Sequence, residues 1–153
     1  MNQINDNIVD TLNDLIATSR DGELGFTACA ERVTSTELRR LFLQRAAECK
    51  QAADELRSQV LQHGGEPETD GTTGGALHRG WVAVRGSLAG YTDQAMLDEC
   101  ERGEDAALAR YRAALRDGVL PESLRALVAR QQLGVQAHHD QIKRLRDSVR
   151  ASL

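Results

Sequence analysis

The sequence predicts an all-α fold, an antiparallel four-helix bundle, and three observations carry that reading. Aromatic residues make up only 3% of the chain, too few for a sheet-rich core, while the strong helix formers Ala, Leu, Arg, Glu and Gln are abundant. Apolar residues recur at alternating steps of three and four along four long segments. Between the segments stand hydroxyl caps, glycines and a proline instead of strand-like alternation. At 153 residues the chain is expected to form one domain over 1–153, burying roughly 70% of the surface its unfolded form exposes.

The first helix is expected over 5–32, where Ile8, Leu12, Leu15, Ser19, Gly22, Phe26 and Cys29 form one stripe that continues to Val33. Thr34-Ser35-Thr36 interrupts the pattern and offers N-caps for a second helix over 36–63, with the stripe Leu38, Phe42, Arg45, Ala46, Cys49, Ala53, Leu56 and Val60. So short a connection makes an αα-hairpin. Gly64 and Gly65 close the second helix, and a turn-rich stretch runs from Glu66-Pro67 to Gly75. Leu77, Trp81, Val84 and Leu88 then predict a short helix over 76–89. Thr92 and Asp93 cap a third long helix over 92–117, whose stripe is Leu97, Cys100, Glu104, Ala107, Leu108, Tyr111 and Leu115. Pro121 opens the last helix, over 121–151, which turns Leu124, Val128, Gln131, Val135, His138, Ile142, Leu145 and Val149 inward. Two tight hairpins joined by the long stretch 64–91 let the second and third helices run parallel, which is the connectivity of ferritin-like bundles.

Composition narrows the function classes. The net charge is −4, with acids and bases interspersed along helix faces, so no basic footprint for nucleic acid is present. The apolar runs are only a few residues long and the segment from Met1 to Asp6 lacks the basic and apolar regions of a signal peptide; no membrane span and a cytoplasmic location are expected. Cys29, Cys49 and Cys100 are odd in number and form no C-x-x-C, so they read as reduced, buried thiols. P-loops, dinucleotide fingerprints and acyl-transfer triads are absent from the sequence. Trp81 is expected to pack the crossover onto the bundle with His78 and Arg79 solvated, its rival role being an anchor for a partner.

The informative positions are those where polar residues break the apolar stripes, because a core accepts a buried carboxylate only when it is paired, protonated or on a metal. Glu104 stands at the angular centre of the third stripe, with Glu101 about 60° to one side. On the last helix His138 lies near the stripe centre and His139 about 60° from Ile142. The first helix offers Glu23, and the second offers Arg45 and Glu48. Glu23, Glu101, Glu104, His138 and His139 are therefore the candidate metal ligands, a set suited to one iron, manganese or zinc ion. The di-iron pattern of Glu on two helices and Glu-x-x-His on the other two is incomplete, since Glu48-Cys49-Lys50-Gln51 ends in Gln and Gln136-Ala137-His138-His139 begins with Gln. The competing reading of the same residues is a buried ion-pair and hydrogen-bond network with Arg45 as counter-charge, which requires no cofactor.

Several segments together carry a resemblance: Leu12-Asn13-Asp14-Leu15-Ile16, Arg20-Asp21-Gly22, Gly64-Gly65-Glu66-Pro67, Ala76-Leu77-His78-Arg79-Gly80-Trp81, the run from Glu99 to Asp105, and His139-Asp140. On these the chain resembles a bacterial family of ferritin-like four-helix-bundle proteins known as a domain of unknown function. The resemblance covers nearly the whole chain and implies the ferritin-like fold and, for some members, a cation site among the bundle's carboxylates and histidine. The family's histidine matches His139, whereas the stripe geometry slightly prefers His138.

A ferritin-like fold without the oxidase ligand set predicts a non-catalytic, interaction or stress-associated protein that forms a homo-oligomer through exposed bundle faces. The alternative is a metal-binding protein that holds an ion in the bundle core through Glu and His; ferritin-type iron oxidation is not expected.

Overall fold

The structure, a computed structural model, describes residues 3–68, Trp81 and residues 92–151. It contains four helices, α1 (Gln3–Arg32), α2 (Thr36–Gln62), α3 (Asp93–Arg116) and α4 (Glu122–Ala151), and no strand among the described residues. The expected all-α, ferritin-like bundle is thus what the chain forms. The short helix expected over 76–89, with His78 and Arg79, lies outside the described residues except for Trp81.

The helix ends follow from local chemistry. Ser35 Oγ accepts the Leu38 N–H at 3.2 Å and Thr92 Oγ1 accepts the Ala95 N–H at 3.0 Å, so each satisfies one of the amides a helix start leaves without a partner. Asp93 serves two elements, because beyond opening α3 its carboxylate accepts the Thr34 and Ser35 amides at 2.7 and 3.2 Å and so ties the α1–α2 turn to the start of α3. Helix α2 ends in a Schellman motif: Gly64, at φ +75°, donates to Leu61 and Gly65 donates to Val60. The chain beyond is held to α1 by Asn13, whose amide donates to the Glu66 carbonyl and accepts from the Glu68 amide.

Pairings between helices fix the topology. Ser19 meets Tyr111, Asp14 meets Arg110 and Thr34 meets Asp93, so α1 and α3 are antiparallel neighbours. Arg150 reaches Asp98 and Arg112 reaches Gln136, which makes α3 and α4 antiparallel. Gln131 donates to the Ala52 carbonyl while His138 meets Glu48, so α4 also runs antiparallel to α2. Helices α2 and α3 therefore run parallel and stand diagonally across the bundle. A connection between them must climb back the length of α2, roughly 40 Å at 1.5 Å per residue.

Among the described residues the core divides into two apolar clusters. One is built of aliphatic side chains such as Leu12, Ile16, Leu56, Leu108 and Val128, the other of Phe26, Phe42, Met96, Cys29, Cys100 and Trp81. Trp81 is only 3% exposed and its ring lies edge-on to Phe26 at 5.1 Å between centroids, which assigns it to packing and not to an exposed partner anchor. It fits because Gly25 on α1 and Gly103 on α3 leave its ring room: a Cβ at either position would come within 2.3 Å of the indole. Between the two clusters the bundle carries buried polar groups, which bear on function.

Candidate functional site

At mid-bundle Ser19, Arg45, Glu104 and Gln131 are all buried although none is apolar. Each sits on the inward stripe of its helix, so the helical repeat leaves the side chain no direct way to solvent. Arg45 on α2 crosses the diagonal and its Nε donates to Glu104 Oε1 at 2.8 Å, with the two side chains 8% and 2% exposed. The guanidinium also stands 5.8 Å from the Phe26 ring centroid and 4.0 Å from Glu48 Oε1. Burial works to lower the proton affinity of Arg45, but the charge and hydrogen bond of Glu104, with Glu48, hold the proton, so its pKa is raised and the charge is permanent. Around it, burial pushes the Cys49 thiol and the Tyr111 hydroxyl each up to about 12, so both are neutral. The Tyr111 hydroxyl donates to Gln131 Oε1 at 2.8 Å, and Gln131 in turn donates to Glu55 and to the Ala52 carbonyl. The layer is therefore a hydrogen-bonded network of one fixed ion pair and neutral groups.

A cleft of about 190 Å³ opens from this layer between α2 and α4, lined among others by Arg45, Glu48, Tyr111, Gln131 and His138. His138 stands on its rim with Nε2 3.0 Å from Glu48 Oε1. Glu23 pairs with Arg20 on its own helix.

Glu101 and His139 meet elsewhere, on the seam between α3 and α4. There Glu101, Asp105 and His139 each bring one ligand atom within 4.8 Å of the others, and among the described residues no other group of three such side chains does so. His139 Nε2 lies 2.6 Å from Asp105 Oδ1, while its Nδ1 lies 3.2 Å from Asp140 Oδ1. Asp140 is also held by the Gln136 amide, and the hydrogen bonds from His139 and Gln136 depress its pKa. Arg146 contacts Glu101. Of the five candidate ligands, the fold thus brings Glu101 and His139 together, places Glu104 against Arg45, and sets Glu23 and His138 against other partners. Asp105 was missed by the stripe reading because it is exposed; its spacing of four from Glu101 on one helix face was the available signal.

The core can be tested for fit to the metal centre that ferritin-like carboxylate proteins build from Glu on two helices and Glu-x-x-His on two more. It does not fit. Arg45 places a fixed positive charge on Glu104, the buried carboxylate of the mid-bundle layer, and the second and fourth helices lack the motif. A divalent ion at the same depth would meet that guanidinium in a poorly screened environment.

The chain is similar to the bacterioferritin-related protein from Bacteroides fragilis, a dodecameric thioferritin, with a TM-score of 0.77 at 16% identity, over 97% of this chain and 89% of that one. It is also similar to a mutant of Mycobacterium smegmatis Dps1, with a TM-score of 0.63 at 19% identity over 100% and 99% of the two chains. Mycobacterium smegmatis Dps in a tetragonal form gives 0.62 at 19% identity, over 100% of this chain and 89% of that one. At such identities the likeness establishes a ferritin-like fold and nothing finer. No curated protein matches the sequence. Residues 7–117 match the family described as Domain of unknown function (DUF2383), and the chain belongs to that family.

Proposed function

We propose that this protein is a non-catalytic ferritin-like bundle, one domain over 1–153, that acts in the cytoplasm as an interaction or stress-associated homo-oligomer. The observation that carries the reading is the Arg45–Glu104 pair on the bundle diagonal, where a guanidinium supplies the positive charge that a metal would bring to this fold. A buried ion pair of this kind fixes helix register and engages the Glu104 carboxylate that a core metal would need. Similarity to a dodecameric thioferritin supports self-association as the use of the fold. No helix among the described residues is long and apolar enough to cross a membrane.

The alternative, an ion held in the bundle core through Glu104 and a histidine, is opposed by Arg45 and by the separation of Glu104 from the Glu101–His139 seam. Two measurements decide between them. Purified protein given ferrous iron in air should oxidise it no faster than buffer, and its solution mass should be a multiple of the chain mass of 16.8 kDa. Accelerated oxidation that Glu104→Gln abolishes would overturn the non-catalytic assignment, and a monomer at micromolar concentration would overturn the oligomer.

A further inference from the structure

We infer that the α3–α4 seam binds one divalent first-row transition ion through Glu101, Asp105 and His139, with Asp140 as a positioning residue and Arg146 as a built-in competitor. The site lies outside the polar core, so it is independent of the role given there to Arg45.

Asp140 accepts the hydrogen bond from His139 Nδ1 and is itself fixed by the Gln136 amide. A ring that gives its Nδ1 proton to a carboxylate presents a lone pair at Nε2, which is the orientation that carboxylate–histidine pairs impose on metal-bound imidazoles. Here Nε2 points into the seam, shielded from solvent, 2.6 Å from Asp105 Oδ1 yet without the alignment a hydrogen bond requires. Two lone pairs so close repel unless something positive lies between them.

Glu101 adds a second oxygen of the same kind. Its Oε2 is shielded from solvent and also lacks an aligned hydrogen bond, although Arg146 lies against it. Two carboxylates from one helix, four residues apart, and one imidazole from the next make a mixed oxygen and nitrogen set, the donor chemistry that suits zinc, manganese or ferrous ions. Asp105 is 59% exposed, so the seam is open to exchange with solvent. The single charge on Arg146 competes for Glu101, which makes occupancy depend on metal concentration.

The test uses the full chain with Zn(II) alone in thermal unfolding, and Co(II) alone in visible absorption as a reporter of donor type. Wild type should take up one equivalent, show a metal-dependent rise in Tm by linkage, and give a cobalt spectrum with nitrogen and oxygen donors. His139→Ala and Asp105→Asn should abolish both signals. Asp140→Ala should weaken binding about 10–100-fold, as loss of an orienting partner does, and Arg146→Met should strengthen it. The Arg45→Met/Glu104→Met double variant should leave both signals as they are. Failure of wild type to bind one equivalent would overturn the site, since a second proton on the imidazole would then be what separates the lone pairs. Binding that survives both His139→Ala and Asp105→Asn would overturn it equally, and so would binding lost in the core double variant. None of these outcomes changes the measured mass or the iron-oxidation result, so the two proposals fail separately.

Discussion

Glu101 and Glu104 are three residues apart on one helix and differ by about 60° in direction, yet they live in different solvents. Glu104 is 2% exposed and faces Arg45 across the bundle diagonal, whereas Glu101 is 15% exposed and faces Arg146, Asp105 and His139 on the seam between two neighbours. In the core, desolvation makes an unpaired charge intolerable, so the carboxylate has one permanent, hydrogen-bonded partner. On the seam, Asp105 and Asp140 are at least half exposed, so water lowers that penalty, and Glu101 and His139 share several charged neighbours instead of one. The same residue type thus acts as a structural tie in one place and as a member of a shared polar cluster in the other.

The contrast can be broken most directly by removing each carboxylate. Glu104→Met strands the buried Arg45 guanidinium and should cost about 3–5 kcal/mol, most of which the added Arg45→Met change restores. Glu101→Met, made on the seam, should cost about 1 kcal/mol or less. Chemical unfolding of the three variants measures both, and equal costs at the two positions would remove the distinction between dry and wet sites.

Packing beside the core gives a second, smaller test. Gly103→Ala places a methyl 2.3 Å from the Trp81 ring; overpacking of about 1–3 kcal/mol should exceed the helix propensity gained. Gly134→Ala on α4 meets nothing within 4 Å and should stabilise by up to about 1 kcal/mol. A Tm that falls for the first and rises for the second confirms that Trp81 occupies the gap between α1 and α3.

Alkaline titration extends the contrast, because among the described residues the strongly raised thiol and phenol pKa values, those of Cys49, Cys100 and Tyr111, lie in the core. Cys49 and Tyr111 each titrate at about 12 when folded, against 9.0 and 10.0 ordinarily. Between the ordinary and the folded values the unfolded chain has lost protons that the folded chain keeps, so stability present below about pH 9 falls as pH rises through this window, by about 1 kcal/mol per pH unit for each group. Cys49→Ala with Tyr111→Phe should flatten the slope between pH 9 and 12, as measured by urea unfolding, even if it lowers stability throughout.

Much of the architecture was legible in the chain. The stripes from Ile8 to Val33 and from Leu38 to Val60 match buried faces residue for residue, because a seven-residue apolar repeat can satisfy water only by turning inward. Ser35, Thr92 and Gly64 marked helix ends through hydrogen bonds and a positive φ that are local properties. Glu104 was identified as buried by the same periodicity.

Which charge would meet which was not a local property. A stripe gives the direction of a side chain about its own axis but not the rotation or height of the facing helix, and charged side chains several bonds long turn small offsets into different partners. Glu23 found Arg20, Glu104 found Arg45, and His139 found Asp105 only once helix pairing and register were set. The sequence by itself determined four amphipathic helices, their caps and the burial of Glu104, since each depends on nearest neighbours along the chain. Tertiary packing alone decided that Arg45 crosses the diagonal and that Glu101, Asp105 and His139 converge on the α3–α4 seam, because those contacts join residues far apart in the chain whose separation depends on how the helices dock.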